Sequence, residues 1–180
     1  MNTTIKKLLT ALFLLGILGL SACNFSVTSG NATADNLETV SKSEQKIRNG
    51  IQSEVFGGLK VESAFLMLET GELVSEENTI KAGDKIKFVL KLSGWKAENG
   101  MVQIGAGEQL VNSNQVVMMR EDDLFANSKG VSEKDAEVIT LIMEVLNLET
   151  IYDFYQTDFK VWNKATDQHV YGSYRFKIKK

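Results

Sequence analysis

Lys85-Ile86-Lys87-Phe88-Val89-Leu90-Lys91-Leu92-Ser93 is the stretch whose reading decides the fold. Ile86, Phe88, Leu90 and Leu92 alternate with Lys85, Lys87, Val89 and Lys91, a period of two that belongs to a strand and not to a helix. The reading puts the first set in a core and the second in solvent. Gly83-Asp84 immediately before it supplies a turn. Working outward, the same period recurs in most of the chain after Gly57-Gly58, over residues 59–68, 79–80, 101–104, 109–111 and 115–120. Residues 137–145 are dense enough in apolar side chains to suit a helix. Val138, Ile139, Thr140 and Ile142 are β-branched, however, and argue for a strand, with a helical turn over 132–136 ahead of it. Asn112-Ser113-Asn114 reads as a turn, because Asn tolerates left-handed backbone.

The carboxy-terminal segment offers a test of register. With residues 164–167 as a four-residue hairpin loop, Asn163 faces Gln168. Val161 then pairs with Val170, Phe159 with Gly172, Thr157 with Tyr174 and Tyr155 with Phe176, all on one face. The other face carries Lys160, Trp162, His169, Tyr171, Arg175 and Lys177. A one-residue slip would destroy this sorting, so the register is self-consistent. Thr79-Ile80-Lys81-Ala82-Gly83-Asp84-Lys85-Ile86 resembles the entry to an early strand in bacterial immunoglobulin-like domains. The expectation is an all-β fold, an antiparallel immunoglobulin-like β-sandwich over residues 58–180. The disulfide and tryptophan pattern of antibody domains is absent, so the resemblance implies architecture alone.

Upstream, residues 24–58 are small and polar with little to bury, and they read as a flexible tether. Within them Leu37, Val40 and Ile47 lie loosely on one side of a short helix over 36–49, with Glu38 and Lys42 at i,i+4 spacing. Further upstream, Lys6 and Lys7 precede an apolar run over residues 8–20 broken only by Thr10, Gly16 and Gly19. That is the positive head and hydrophobic core of a signal peptide over residues 1–22. Polar Asn24 and Ser26 follow at once, and a membrane-spanning helix needs about 20 predominantly apolar residues.

Leu20-Ser21-Ala22-Cys23 resembles the lipobox of bacterial lipoproteins: aliphatic, small, small, cysteine. In that family the cysteine sulfur takes a diacylglyceryl group, cleavage falls just before it, and the new amino terminus usually gains a further acyl chain. The resemblance implies that Cys23 is the lipidated first residue of the mature chain, with residues 23–57 as the tether. A single chain holds only marginally and each buried CH₂ contributes about 0.8 kcal/mol, so several chains make a lasting anchor. The alternative is an ordinary secretory signal cut after Ala22, against which stands the bulk of Leu20 three residues before the cut. Lipidation also accounts for a lone cysteine in an exported chain. An aspartate after the cysteine favours inner-membrane retention in that family, and here the position is Asn24. Residues 24–34 carry no acid of the kind that marks surface export. The implied location is the cell envelope: the outer membrane facing the periplasm in a two-membrane cell, the outer leaflet of the plasma membrane otherwise.

Removing Met1 to Ala22 takes Lys6 and Lys7 from the 20 basic residues and none of the 23 acidic ones, moving the formal charge from −3 to −5. No basic excess is left for nucleic acid. His169 is the only histidine, no Gly-x-Ser-x-Gly elbow occurs, and Gly105-Ala106-Gly107 lacks the helix and spacing of a phosphate loop. One histidine and one cysteine leave little to build a zinc site. No cofactor is expected, and no enzyme. Glu121-Asp122-Asp123, with Glu133, Asp135 and Glu137, offers oxygen ligands for calcium or else a solvated acidic loop. Asp122 or Asp123 would then cap a turn before a buried Leu124-Phe125.

Aromatic residues crowd the last thirty positions. The hairpin register leaves Trp162 and Tyr171 outward, and Trp95 sits beside a loop over 96–100. Such side chains stack on sugars or on a partner protein unless another layer covers them. The expectation is therefore a non-enzymatic, lipid-anchored binding or structural module that recognises an envelope protein. The alternative is a carbohydrate-binding module using Trp95, Trp162 and Tyr171 to hold a glycan.

Overall fold

Each alternating stretch buries one side against a second layer, and the layers are two sheets. The computed structural model describes residues 23–29, 46–145 and 150–179. In chain order the elements are β1 (Cys23–Ser29), β2 (Gln52–Phe56), β3 (Lys60–Leu68), β4 (Thr79–Lys81), β5 (Lys85–Ser93), β6 (Met101–Val102), β7 (Ile104–Asn112), β8 (Val117–Glu121), β9 (Val131–Ser132), α1 (Glu133–Ala136), β10 (Val138–Val145), β11 (Tyr155–Asn163) and β12 (His169–Lys179). The smaller sheet runs β1-β10-β5-β3 and the larger β2-β12-β11-β7-β8, with β4 on β12; β6 and β9 form a separate ribbon. All pairs are antiparallel except β4 with β12. This is an all-β sandwich, as the alternation predicts.

Ile86, Phe88, Leu90 and Leu92 enter the space between the sheets, where they meet Ile139, Leu141, Phe159, Val161, Val170 and Tyr174. Ring centroids of Phe88 lie 4.5 Å from Phe159 and 5.2 Å from Tyr174, so β5 packs on the hairpin of the opposite layer. That hairpin has the register read from the sequence: Tyr155 opposite Phe176, Thr157 opposite Tyr174, Phe159 opposite Gly172 and Val161 opposite Val170. Asn163 donates its N–H to the Gln168 carbonyl at 2.9 Å, closing the loop. The strand choice for β10 holds, and the helical turn before it is α1, capped by Ser132 Oγ accepting from Asp135 N–H at 3.1 Å.

Several expectations need correction. The tether does not reach residue 57, because β2 pairs with β12 and Ile51 is buried. Polar composition hid a working edge strand, and an asparagine lock fixes the segment before it. Asn49, 1% exposed, donates from Nδ2 to the carbonyls of Val74 and Ser75 and to Asn78 Oδ1, while its own Oδ1 accepts from Leu66 N–H. Asn78 Nδ2 returns bonds to the Asn49 and Arg175 carbonyls, each at 2.7 Å. Cys23–Ser29 also leaves the tether, paired along its length with β10 from Cys23 opposite Val145 to Ser29 opposite Ile139. The helix expected over 36–49 lies mostly outside the described residues, and its last part is not helical: Ile47 bridges Ala64 in parallel.

The strand expected over 109–111 extends back through Gly105-Ala106-Gly107 to Ile104 as β7. In the turn after it the left-handed residue is Gln115, not an asparagine. Asn112 contributes differently, its Oδ1 accepting from the N–H groups of Asn114 and Val116. Val89, assigned to solvent, is 1% exposed and packs with Phe65 and Met67 in a second cluster on the outer side of the smaller sheet.

Candidate functional site: an aromatic face on the larger sheet

Cross-strand register on the outer side of the larger sheet sorts side chains into rows. Phe56 stands opposite His169, His169 opposite Trp162, and Trp162 opposite Gly105. The next row is Glu54, Tyr171, Lys160 and Gly107. Alternation dictates this, since these residues point away from the buried Val161, Val170 and Ala106. Phe56 and His169 stack with centroids 4.5 Å apart and planes 9° from parallel, and Phe56 lies 5.7 Å from Tyr171 at 17°. Phe56 and Tyr171 remain 42% and 41% exposed. The Tyr171 hydroxyl donates to Glu54, and that bond, followed by partial desolvation and the Glu54 charge, raises the phenol pKa above its ordinary value.

Trp162 is seated differently. A Cβ built on Gly105 would fall 2.3 Å from its Cε2, 2.4 Å from Cζ2 and 2.7 Å from Nε1. The indole therefore lies across β7 where only glycine permits it, and Lys160 Nζ stands 5.6 Å from its centroid. Gly107 gives the same clearance to backbone, since a Cβ there would meet Asp122 O at 2.7 Å and Glu121 O at 2.9 Å. Beside Trp162 opens a hollow of about 430 Å³ lined by Gly107, Gln109, Arg120, Asp158 and Lys160 among others. A second of about 330 Å³ lies between Glu54, Asp158 and Tyr171.

Of the residues singled out in the sequence, Trp162 and Tyr171 share this face, whereas Trp95 does not. Trp95 is 6% exposed and its Nε1–H donates to the Ala136 carbonyl at 2.8 Å, so the loop after it does not leave it free. Gln168 holds that loop down, accepting from Lys96 N–H and donating to the Gly57 and Gly94 carbonyls. Cys23 is the first residue of β1, in the other layer. Phe56 was missed because its segment reads as tether, and only the β2–β12 pairing brings it to His169.

The acidic segment has local work. Asp122 pairs with Arg120 at 2.7 Å, and Asp123 pairs with Lys164 at 2.6 Å while its Oδ1 accepts from Phe125 N–H at 2.9 Å. Asp123 is thus the cap ahead of a buried Phe125. Among the described residues no three His, Cys, Asp or Glu side chains gather as metal ligands. His169 Nδ1 lies 2.9 Å from the Asp167 carbonyl, which makes Nδ1 the protonated nitrogen.

On its inner side β7 carries Glu108, which sequence reading passed over. It is 3% exposed, and neither carboxylate oxygen has a hydrogen-bond partner among the described residues. Burial alone pushes its pKa up to about 8. Tyr174 is also raised well above its ordinary value, by burial first and the Glu108 charge second. No family model matches this chain, and a search of curated proteins finds no match either. Fold and face together define an all-β sandwich with an exposed aromatic surface on one layer.

Proposed function

We propose that this is a non-enzymatic, lipid-anchored module of a bacterial envelope that recognises a protein partner with the outer face of its larger sheet. The exposed stack of Phe56, His169 and Tyr171 carries that reading. It borders β2, which pairs with β12 on one side only among the described residues. An edge strand offers backbone groups to an incoming chain, and exposed aromatics offer anchors that gain by desolvation. The anchor rests on Leu20-Ser21-Ala22-Cys23, with acyl chains on Cys23. Asn24 after it supports outer-membrane attachment facing the periplasm in a two-membrane envelope, and the outer leaflet of the plasma membrane otherwise.

Photocrosslinking from position 56 in intact envelopes tests the partner. A single protein crosslinked from 56 and lost on Tyr171→Ala is the expected result; identical labelling from a position on the smaller sheet would refute the face. Cys23→Ser should abolish acyl labelling and leave precursor, whereas normal processing would mean an ordinary secretory signal. A second reading, a carbohydrate-binding module, is favoured by the indole of Trp162 beside the hollow over Gly107.

A further inference from the structure

We infer that the hollow over Gly107 is a pyranose-binding subsite, with Trp162 as the stacking platform and Asp158, Gln109, Arg120 and Lys160 as hydroxyl partners. The inference rests on the carbohydrate-binding reading and names its subsite.

Three features converge on a sugar ring. The platform comes first: one side of the indole is closed by Gly105, leaving the other toward the solvent side of the sheet, where Trp162 is half-buried. A pyranose presents a face of C–H groups that an aromatic ring desolvates without losing a hydrogen bond. Size is the second. At about 430 Å³ the hollow falls in the range of small-molecule sites, and it is lined by Gly107 and by the Glu121–Asp122 segment that packs on that glycine.

The third is polar complementarity. Hydroxyls both donate and accept, so they need acceptors and donors on the rim. Asp158 supplies acceptor oxygens, one already oriented by Gln156 Nε2 at 2.7 Å. Arg120 is held by Asp122 through Nε, which leaves its terminal nitrogens as donors, and Gln109 stands directly opposite it in the register. Lys160 forms no ion pair among the described residues, and its ammonium stands over the Trp162 ring, 5.6 Å from the centroid, where it can donate to a stacked sugar's hydroxyl. Mixed charges at one rim suit a neutral polyol better than an ion, which would be repelled by half of them.

The test uses the full chain in detergent on an array of gluco-, galacto- and manno-configured oligosaccharides, with the corresponding methyl pyranosides as competitors. Binding to pyranose-bearing spots is expected, weakened about tenfold or more by Trp162→Ala and by Asp158→Ala and unchanged by Lys87→Ala on the smaller sheet. Because Trp95 is buried, ligand-induced change in tryptophan emission should come from Trp162. It should vanish in Trp162→Phe, which keeps a flat ring and most of the binding, so a folding defect is distinguished from a lost platform. Glycan binding that survives Trp162→Ala but falls on Phe56→Ala or Tyr171→Ala would overturn the subsite and leave the carbohydrate reading standing. A folded chain that binds no spot overturns both, as does a protein partner crosslinked over Trp162.

Discussion

Two phenylalanines on the outer sides of the two sheets have opposite fates. Phe65, on β3 of the smaller sheet, is 0% exposed and clusters with Met67 and Val89. Phe56, on β2 of the larger sheet, is 42% exposed and stacks on His169 and Tyr171. Both sit at positions where period-two alternation points a side chain away from the sandwich interior. The difference teaches that alternation reports which side of a sheet a residue takes, whereas whether that side is wet depends on neighbours brought in by topology.

The largest effect should come from cutting the chain where composition suggested a boundary. A fragment starting at Gly58 lacks β2, Ile51 and the Asn49 lock, and leaves the Leu66 N–H and Asn78 Oδ1 short of the partners Asn49 gives them. It should lose cooperative urea unfolding, while a fragment from Lys46 keeps it; equal behaviour would return residues 46–57 to the tether. Next comes the contrast itself: Phe65→Ala should cost about 3 to 5 kcal/mol, as should Phe88→Ala in the interior, because each leaves a buried cavity. Phe56→Ala should cost about 1 kcal/mol or less, its loss being a surface ring stack, yet it should reduce capture of the partner. Similar costs for Phe65 and Phe56 would erase the distinction between a covered face and an open one.

A pH series sharpens the comparison at β7, whose outer side carries Gly105 and Gly107 and whose inner side carries Glu108. The folded-state pKa of about 8 lies above the usual 4.5, so the native state keeps a proton that the unfolded chain releases. Stability is then fullest below about pH 4.5 and is lost as pH rises toward 8, at roughly 1.4 kcal/mol per pH unit, before levelling off. Glu108→Gln should remove that slope in urea midpoints between pH 5 and 8; an unchanged slope would assign it to other groups. The smallest effect belongs to Lys87→Ala, expected within about 0.5 kcal/mol on a strand where Phe88→Ala is severe.

Much of the sandwich was legible from local pattern. The β5 alternation and the hairpin register of β11 and β12 are short-range facts, because neighbouring residues must share the two sides of a strand and a tight loop sets which residues meet. Trp162 and Tyr171 could be placed outward for the same reason. Phe56 could not, since its surroundings carry no apolar period and its partners lie more than a hundred residues away. Trp95 looked exposed beside its loop, and a carbonyl of α1 and the reach of Gln168 decided otherwise. Val89 and Glu108 make the same point from opposite directions: one apolar residue on the outer side found cover, and one carboxyl on the inner side found no hydrogen-bond partner among the described residues.

By itself the sequence determined the alternation of the strands, the side their residues take and the hairpin register, all of which depend on residue order over a few positions. Tertiary structure alone decided that residues 52–56 join the larger sheet, which outer face stays open, and that Gly105 seats the Trp162 indole while Gly107 admits the Glu121 and Asp122 carbonyls. Those outcomes depend on cross-strand neighbours and close backbone approach, and such contacts join segments far apart in the chain that no local period records.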